Sequence, residues 1–228
     1  MVSTMTILMA VLSVAAVSAA GPYGLARTPP RGWRSWNAYG PGISQAKMEA
    51  TMAAMVKPFR DGKSILDFGY VHCGLDDNWQ ACGTGFNQSF HDKNGNPLIN
   101  TTRFPDMAAM VQYGHARGIK VGWYINNCIC AENQFRYTPG GPAFGELVYK
   151  QTVAALTQQY QFDGVKIDSC SEWLNMTHWS RLTNASGRPI MHVKILQNTF
   201  FRLSARAGIA PHTAMVRILN PAGGSAIL

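Results

Sequence analysis

The most constraining feature of this 228-residue chain is a repeated order of elements: a short β-like run, then a longer helix-like segment, then another β-like run. Such alternation is what parallel strands joined by crossover helices look like in one dimension. Strand-like runs are read at residues 32–39 (GWRSWNAY), 70–77 (YVHCGLDD), 119–126 (IKVGWYIN) and 164–168 (GVKID), and a fifth starts at 188–191 (RPIM). Between them lie helical patterns. One starts near Ser44 with Met48, Met52, Met55 and Val56 on one face; a second is opened by Pro105 and closed by Gly118; a third spans about 143–160.

Polar and aromatic residues gather where each run meets its loop: Trp36 and Asn37, Asp76 and Asp77, Tyr124 and Asn126, Lys166 and Asp168. Chemistry at strand C-termini belongs to (β/α)8 barrels and equally to open doubly wound sheets, so position alone does not separate them. The segment GTGFNQ lacks the third glycine of a dinucleotide fingerprint, and no P-loop or GxSxG elbow occurs. No cofactor is expected. His72, His91, His115 and His178 are scattered without ligand spacing, so no metal is expected either.

Lys166 and Asp168 are two apart on a strand and so share a face, where the ammonium would favour an ionised, nucleophilic carboxylate; a strand-end ion pair without chemistry is the equal alternative on these residues alone. Asp76 and Asp77 have no cation nearby in sequence and need hydroxyl donors, water or a metal to satisfy them; a sugar supplies hydroxyls, and a helix N-cap or exposed turn is the other reading. Trp33, Trp36, Trp79, Trp123 and Tyr124 offer flat surface for sugar rings, with core packing the preferred reading for Trp33 and Trp123.

The first twenty residues hold an apolar stretch from about Met5 to Val17 followed by small residues, the pattern of a cleaved signal peptide and too short for a membrane span. Sequons at Asn87, Asn100, Asn175 and Asn184 and five cysteines without CxxC spacing agree with export. The expected location is therefore outside the cell, or a lysosome or vacuole reached through the secretory pathway. The net charge of +8 does not indicate nucleic acid: four of the excess charges, Lys194, Arg202, Arg206 and Arg217, fall in a C-terminal stretch free of Asp and Glu.

Four motifs in register, RTPPRGWRSWN, LDDNWQ, RFPDMAAMVQYGHARGIKVGWY and VKIDSC, resemble the N-terminal barrel half of family 27 glycoside hydrolases, the α-galactosidases and α-N-acetylgalactosaminidases. The likeness runs from about Arg27 to Met191. It implies a secreted retaining exo-glycosidase acting on terminal α-galactosides of oligosaccharides, glycolipids or glycoproteins. The implied fold is a (β/α)8 TIM barrel, incomplete here, without the family's C-terminal β-domain, and a homodimer in full-length members. By this resemblance Asp168 is the nucleophile, Lys166 binds substrate hydroxyls, Asp76 and Asp77 bind the galactose O4 and O6 hydroxyls, and Trp36 and Tyr124 wall the pocket. Cys170 matches a site-adjacent disulfide cysteine whose expected partner is Cys130, with Cys128 as an alternative. Asn78 stands where the family often has a cysteine, leaving Cys82 to pair with Cys73 or Cys128.

The leader and the resemblance together divide the chain into three expected parts: a signal peptide at 1–20, the barrel portion at 21–191, and a divergent tail at 192–228. The tail carries no acidic residue. Retaining hydrolysis uses two carboxylates, one attacking and one protonating the leaving oxygen. The general acid/base is thus absent, and little turnover is expected. A galactose-binding remnant without catalysis is the alternative, as is N-acetylgalactosamine specificity.

Overall fold

The computed structural model describes residues 29–126, 130, 141–168, 175–195, 216–219 and 225–227. The expected signal peptide, Cys128 and Cys170 lie outside them. Within them the chain forms a single sheet in simple sequential order. Its parallel strands are β1 (Gly32–Arg34), β2 (His72–Gly74), β3 (Lys120–Ile125), β4 (Gly164–Asp168) and β5 (Met191–Ile195). Two antiparallel strands follow, β6 (Val216–Leu219) and β7 (Ser225–Ile227). Strand β5 thus runs past Met191 into the segment read as tail, and β6 and β7 lie wholly within it.

Helices alternate with the parallel strands: α1 (Trp36–Tyr39), α2 (Gln45–Met55), α3 (Met107–His115), α4 (Gly141–Ala154) and α5 (Met176–Ala185). Helix α2 starts at Ser44, whose Oγ accepts from the Lys47 N–H, and it buries Met48, Met52 and Met55. Helix α3 is capped by Asp106, whose carboxylate accepts the Ala109 N–H at 2.8 Å, and Gly118 turns the chain out at φ +74°. Gly114 lets α3 press on β3, since a Cβ there would lie 2.4 Å from Val121 Cγ2. Helix α4 continues into a π-helical turn, Ala155–Gln159.

The first strand read from sequence as eight residues is only three, because Ser35 leaves the extended region and α1 begins at Trp36. In β4, residues Gly164, Val165, Lys166 and Ile167 are all buried, as expected of a parallel strand covered on both faces. The core between sheet and helices centres on Trp79, Phe90, Trp123 and Phe162, with Trp123 stacked on Phe162 at 5.2 Å and Trp79 at 4.6 Å from Trp123. At the N-terminal end of the sheet, Asp163 accepts from the Val121 N–H at 2.8 Å, contacts His115 at 2.8 Å and pairs with Arg188 at 3.2 Å. That clamp fixes the entry of β3 and β4 and leaves the opposite rim to carry the site.

Candidate active site

Register brings the polar strand ends together. Tyr124 of β3 lies opposite Lys166 of β4. The Lys166 Nζ sits 4.8 Å from the Tyr124 ring centroid and donates to both oxygens of Asp76, at 2.8 and 3.1 Å. Asp76, just beyond β2, is almost fully buried, and its backbone N–H donates to Ser35 Oγ at 2.9 Å. Two charges removed from water in this way are tolerable only because each is the other's partner; removing one costs roughly 3–5 kcal/mol.

This corrects two expectations. Lys166 does share the rim with Asp168, but its hydrogen bonds go to Asp76, ninety residues away in sequence. Asp76 is not short of cations, because Arg34 Nη1 also stands 3.7 Å from its Oδ2. Spacing along one chain segment could not show either contact, since both depend on which strands become neighbours.

Asp168 ends β4 half-buried. Its Oδ2 accepts from the Tyr124 hydroxyl at 2.9 Å, and that hydroxyl accepts from Asn126 Nδ2 at 3.1 Å. Oδ1 of Asp168 is buried with no hydrogen-bond partner among the described residues. One oxygen is thus oriented by a donor, and the other is enclosed without one among the described residues. Burial and the neighbouring Asp77 and Asp168 carboxylates push the Tyr124 phenol well above its ordinary value, so it stays a hydroxyl donor.

Asp77 is held differently from Asp76. Its Oδ1 accepts from the Asn78 N–H at 2.8 Å and from Gln80 Nε2 at 2.9 Å, yet burial, with Asp76 and Asp168 adding to it, raises its pKa. Trp36 opens α1 at the rim and is 44% exposed. Trp79, considered above as a stacking surface, is instead fully buried and donates its Nε1–H to the Tyr124 carbonyl at 2.8 Å, supporting the strand end from the core side. Arg34, Ser35 and Gln80 complete the constellation and were not singled out from sequence, whereas Asn126 was. Its signal was its place at the end of a strand beside Tyr124.

The expected Cys130–Cys170 bridge is replaced. Cys130 is bonded to Cys82, with Cα atoms 5.1 Å apart, within the usual span for a disulfide. Cys82 therefore pairs with neither Cys73 nor Cys128; Cys73 is a buried free thiol inside β2. Of the sequon asparagines, Asn87 and Asn175 are exposed and Asn100 and Asn184 partly buried. Among the described residues no group of three His, Cys, Asp or Glu side chains could hold a metal, and no helix is long and apolar enough to cross a membrane.

Acidic and basic side chains fixed at the C-terminal ends of parallel strands, with aromatic rings around them, place the site where a TIM barrel carries it, and five parallel strands of such a barrel are present among the described residues. The chain belongs to the α-galactosidase family: residues 28–199 match the family model described as alpha galactosidase A. It is 31% identical over 148 residues to an α-galactosidase of Cyamopsis tetragonoloba, covering 64% of this chain and 31% of that protein. The fold is similar to that of α-galactosidase I of Mortierella vinacea (TM-score 0.54, 24% identity, 73% of this chain and 40% of that one). It is also similar to the Saccharomyces cerevisiae α-galactosidase determined with raffinose (TM-score 0.54, 19% identity, 74% and 35%). The chain spans about a third of the length of such relatives.

Proposed function

We propose that the rim built by Asp76, Asp77, Tyr124, Lys166 and Asp168 binds a terminal α-galactosyl residue and that Asp168 is the group that attacks its anomeric carbon. The single observation that carries this reading is the division of labour between carboxylates. Asp76 is committed to Lys166, while Asp168 keeps one oxygen oriented by Tyr124 and the other without a partner among the described residues. Attack forms a bond from Asp168 to C1 as the glycosidic C–O bond breaks, giving a β-galactosyl ester in a retaining scheme. The Lys166 ammonium and the Asp76 and Asp77 carboxylates supply donors and acceptors for ring hydroxyls, and Trp36 supplies an exposed aromatic surface. Raffinose, present in the similar yeast structure, carries such a terminal α-galactosyl unit.

The sequence contains no Asp or Glu after Glu172. The stretch 192–228 therefore supplies no carboxyl donor for protonating a poor leaving group. Entry into the secretory pathway is supported by the apolar leader and by exposed sequons at Asn87 and Asn175. The test is a titration of the protein with galactose followed by NMR. Saturable binding that is abolished by Asp76→Asn supports the reading; no saturation with galactose, or equal binding by Asp76→Asn, refutes it.

A further inference from the structure

Arg34 is the last residue of β1, and its guanidinium does not point to solvent alone. Nη1 donates to the Leu75 carbonyl at 2.8 Å and to the Trp123 carbonyl at 3.3 Å, and lies 3.7 Å from Asp76 Oδ2. The side chain reaches those groups across two glycines. A Cβ on Gly74 would sit 2.6 Å from Arg34 Cζ and 2.7 Å from Nη2; one on Gly122 would sit 3.2 Å from Nη2. Arg34, Gly74 and Gly122 occupy one register row across β1, β2 and β3. Neither glycine has a positive φ, so the backbone would accept a side chain there. What excludes one is the arginine.

We infer that Arg34 is a positioning residue of the site: it lies in a lane made by Gly74 and Gly122, ties the ends of β2 and β3 to β1, and is the second cation that fixes the Asp76 carboxylate for sugar recognition. Lys166 alone would hold Asp76 from the β4 side. A guanidinium from the β1 side opposes it, so the carboxylate is braced between two strands that are not neighbours. Nη1 alone serves both carbonyls while standing 3.7 Å from the acid, and the guanidinium keeps its charge when buried.

This inference rests on the galactoside reading, and the experiment separates the two. Galactose affinity is measured for the wild-type chain, Arg34→Met, Arg34→Lys, Gly74→Ala and the Arg34→Met/Gly74→Ala double variant, each checked for a cooperative melt. Arg34→Met should weaken binding by about tenfold, the scale of one hydrogen bond to a charged group. Gly74→Ala, which leaves Arg34 present but pushes its guanidinium out of the lane, should weaken binding to a similar degree. The double variant should be no weaker than either single one, and Arg34→Lys should recover part of the loss. Wild-type protein that binds galactose while Arg34→Met binds equally well, or losses that simply add in the double variant, would overturn the positioning role. A cooperative melt for Gly74→Ala that is restored to the wild-type temperature by removing Arg34 supports the lane independently of any ligand. Wild-type protein with no galactose affinity overturns the galactoside reading and the role in recognition that depends on it.

Discussion

Adjacent carboxylates at the end of β2 meet opposite electrostatic surroundings. Asp76 lies between two cations, whereas Asp77 accepts from neutral donors, Asn78 and Gln80, and feels the charges of Asp76 and Asp168. Burial is the first cause of the raised Asp77 pKa. Between its ordinary value of 3.8 and the raised folded value, the native state therefore holds more protons than the unfolded chain. Its contribution to stability consequently falls as pH rises through that window. Asp77→Asn should raise the melting temperature at pH 7, and the gain should disappear on acidification below the ordinary carboxyl range, as followed by thermal melts across pH. Cys73, buried in β2 with its thiol pushed up to about 12, should resist alkylation until the protein unfolds. At this scale sequence spacing was a partial guide: two-residue alternation put Lys166 and Asp168 at one rim. It could not supply the Lys166–Asp76 pair or the reach of Arg34, because both are made by strands distant in the chain.

Elements were more legible than contacts. Methionines at helical spacing behind Ser44 foretold α2, and Pro105 with Gly118 bracketed α3, whose cap is Asp106, because caps and apolar faces are local properties. Strand lengths were overstated at β1 and β2, where the chain turns into α1 or the aspartate loop as soon as the sheet ends. One element pair carries a pH prediction. His192 of β5 packs under α5, with Nε2 3.0 Å from Thr183 Oγ1, and burial lowers its pKa from 6.5 to about 4. Between those values the unfolded chain binds the extra proton, so stability is full above about pH 6.5 and is lost toward pH 4. The loss amounts to about 3 kcal/mol. Denaturant titrations at pH 7 and pH 4 should show His192→Gln losing less stability on acidification than wild type by roughly that amount.

For the molecule as a whole, sequential parallel pairing from β1 to β5 follows from the alternating pattern, and the site follows from the fold's habit of gathering strand ends at one rim. The disulfide was the clearest miss. Five cysteines constrain pairing poorly, and the bridge from Cys82 to Cys130 joins the loop after β2 to the segment after β3, a closeness visible only once the sheet is assembled. Closing a loop of separation 48 restricts the unfolded chain by about 4 kcal/mol on the chain-entropy scale. Cys82→Ser should lower unfolding free energy by roughly 2–4 kcal/mol under oxidising conditions, and the wild-type protein should lose a similar amount on reduction.

The most direct measurement of the attacking role given to Asp168 uses α-galactosyl fluoride, whose leaving fluoride departs with its electron pair and needs no proton donor. Mass spectrometry of the treated, proteolysed chain should find one galactosyl residue on the peptide holding Asp168, and none in Asp168→Asn. An unlabelled wild-type protein that nonetheless binds galactose, or a label carried by another side chain, would contradict the assignment.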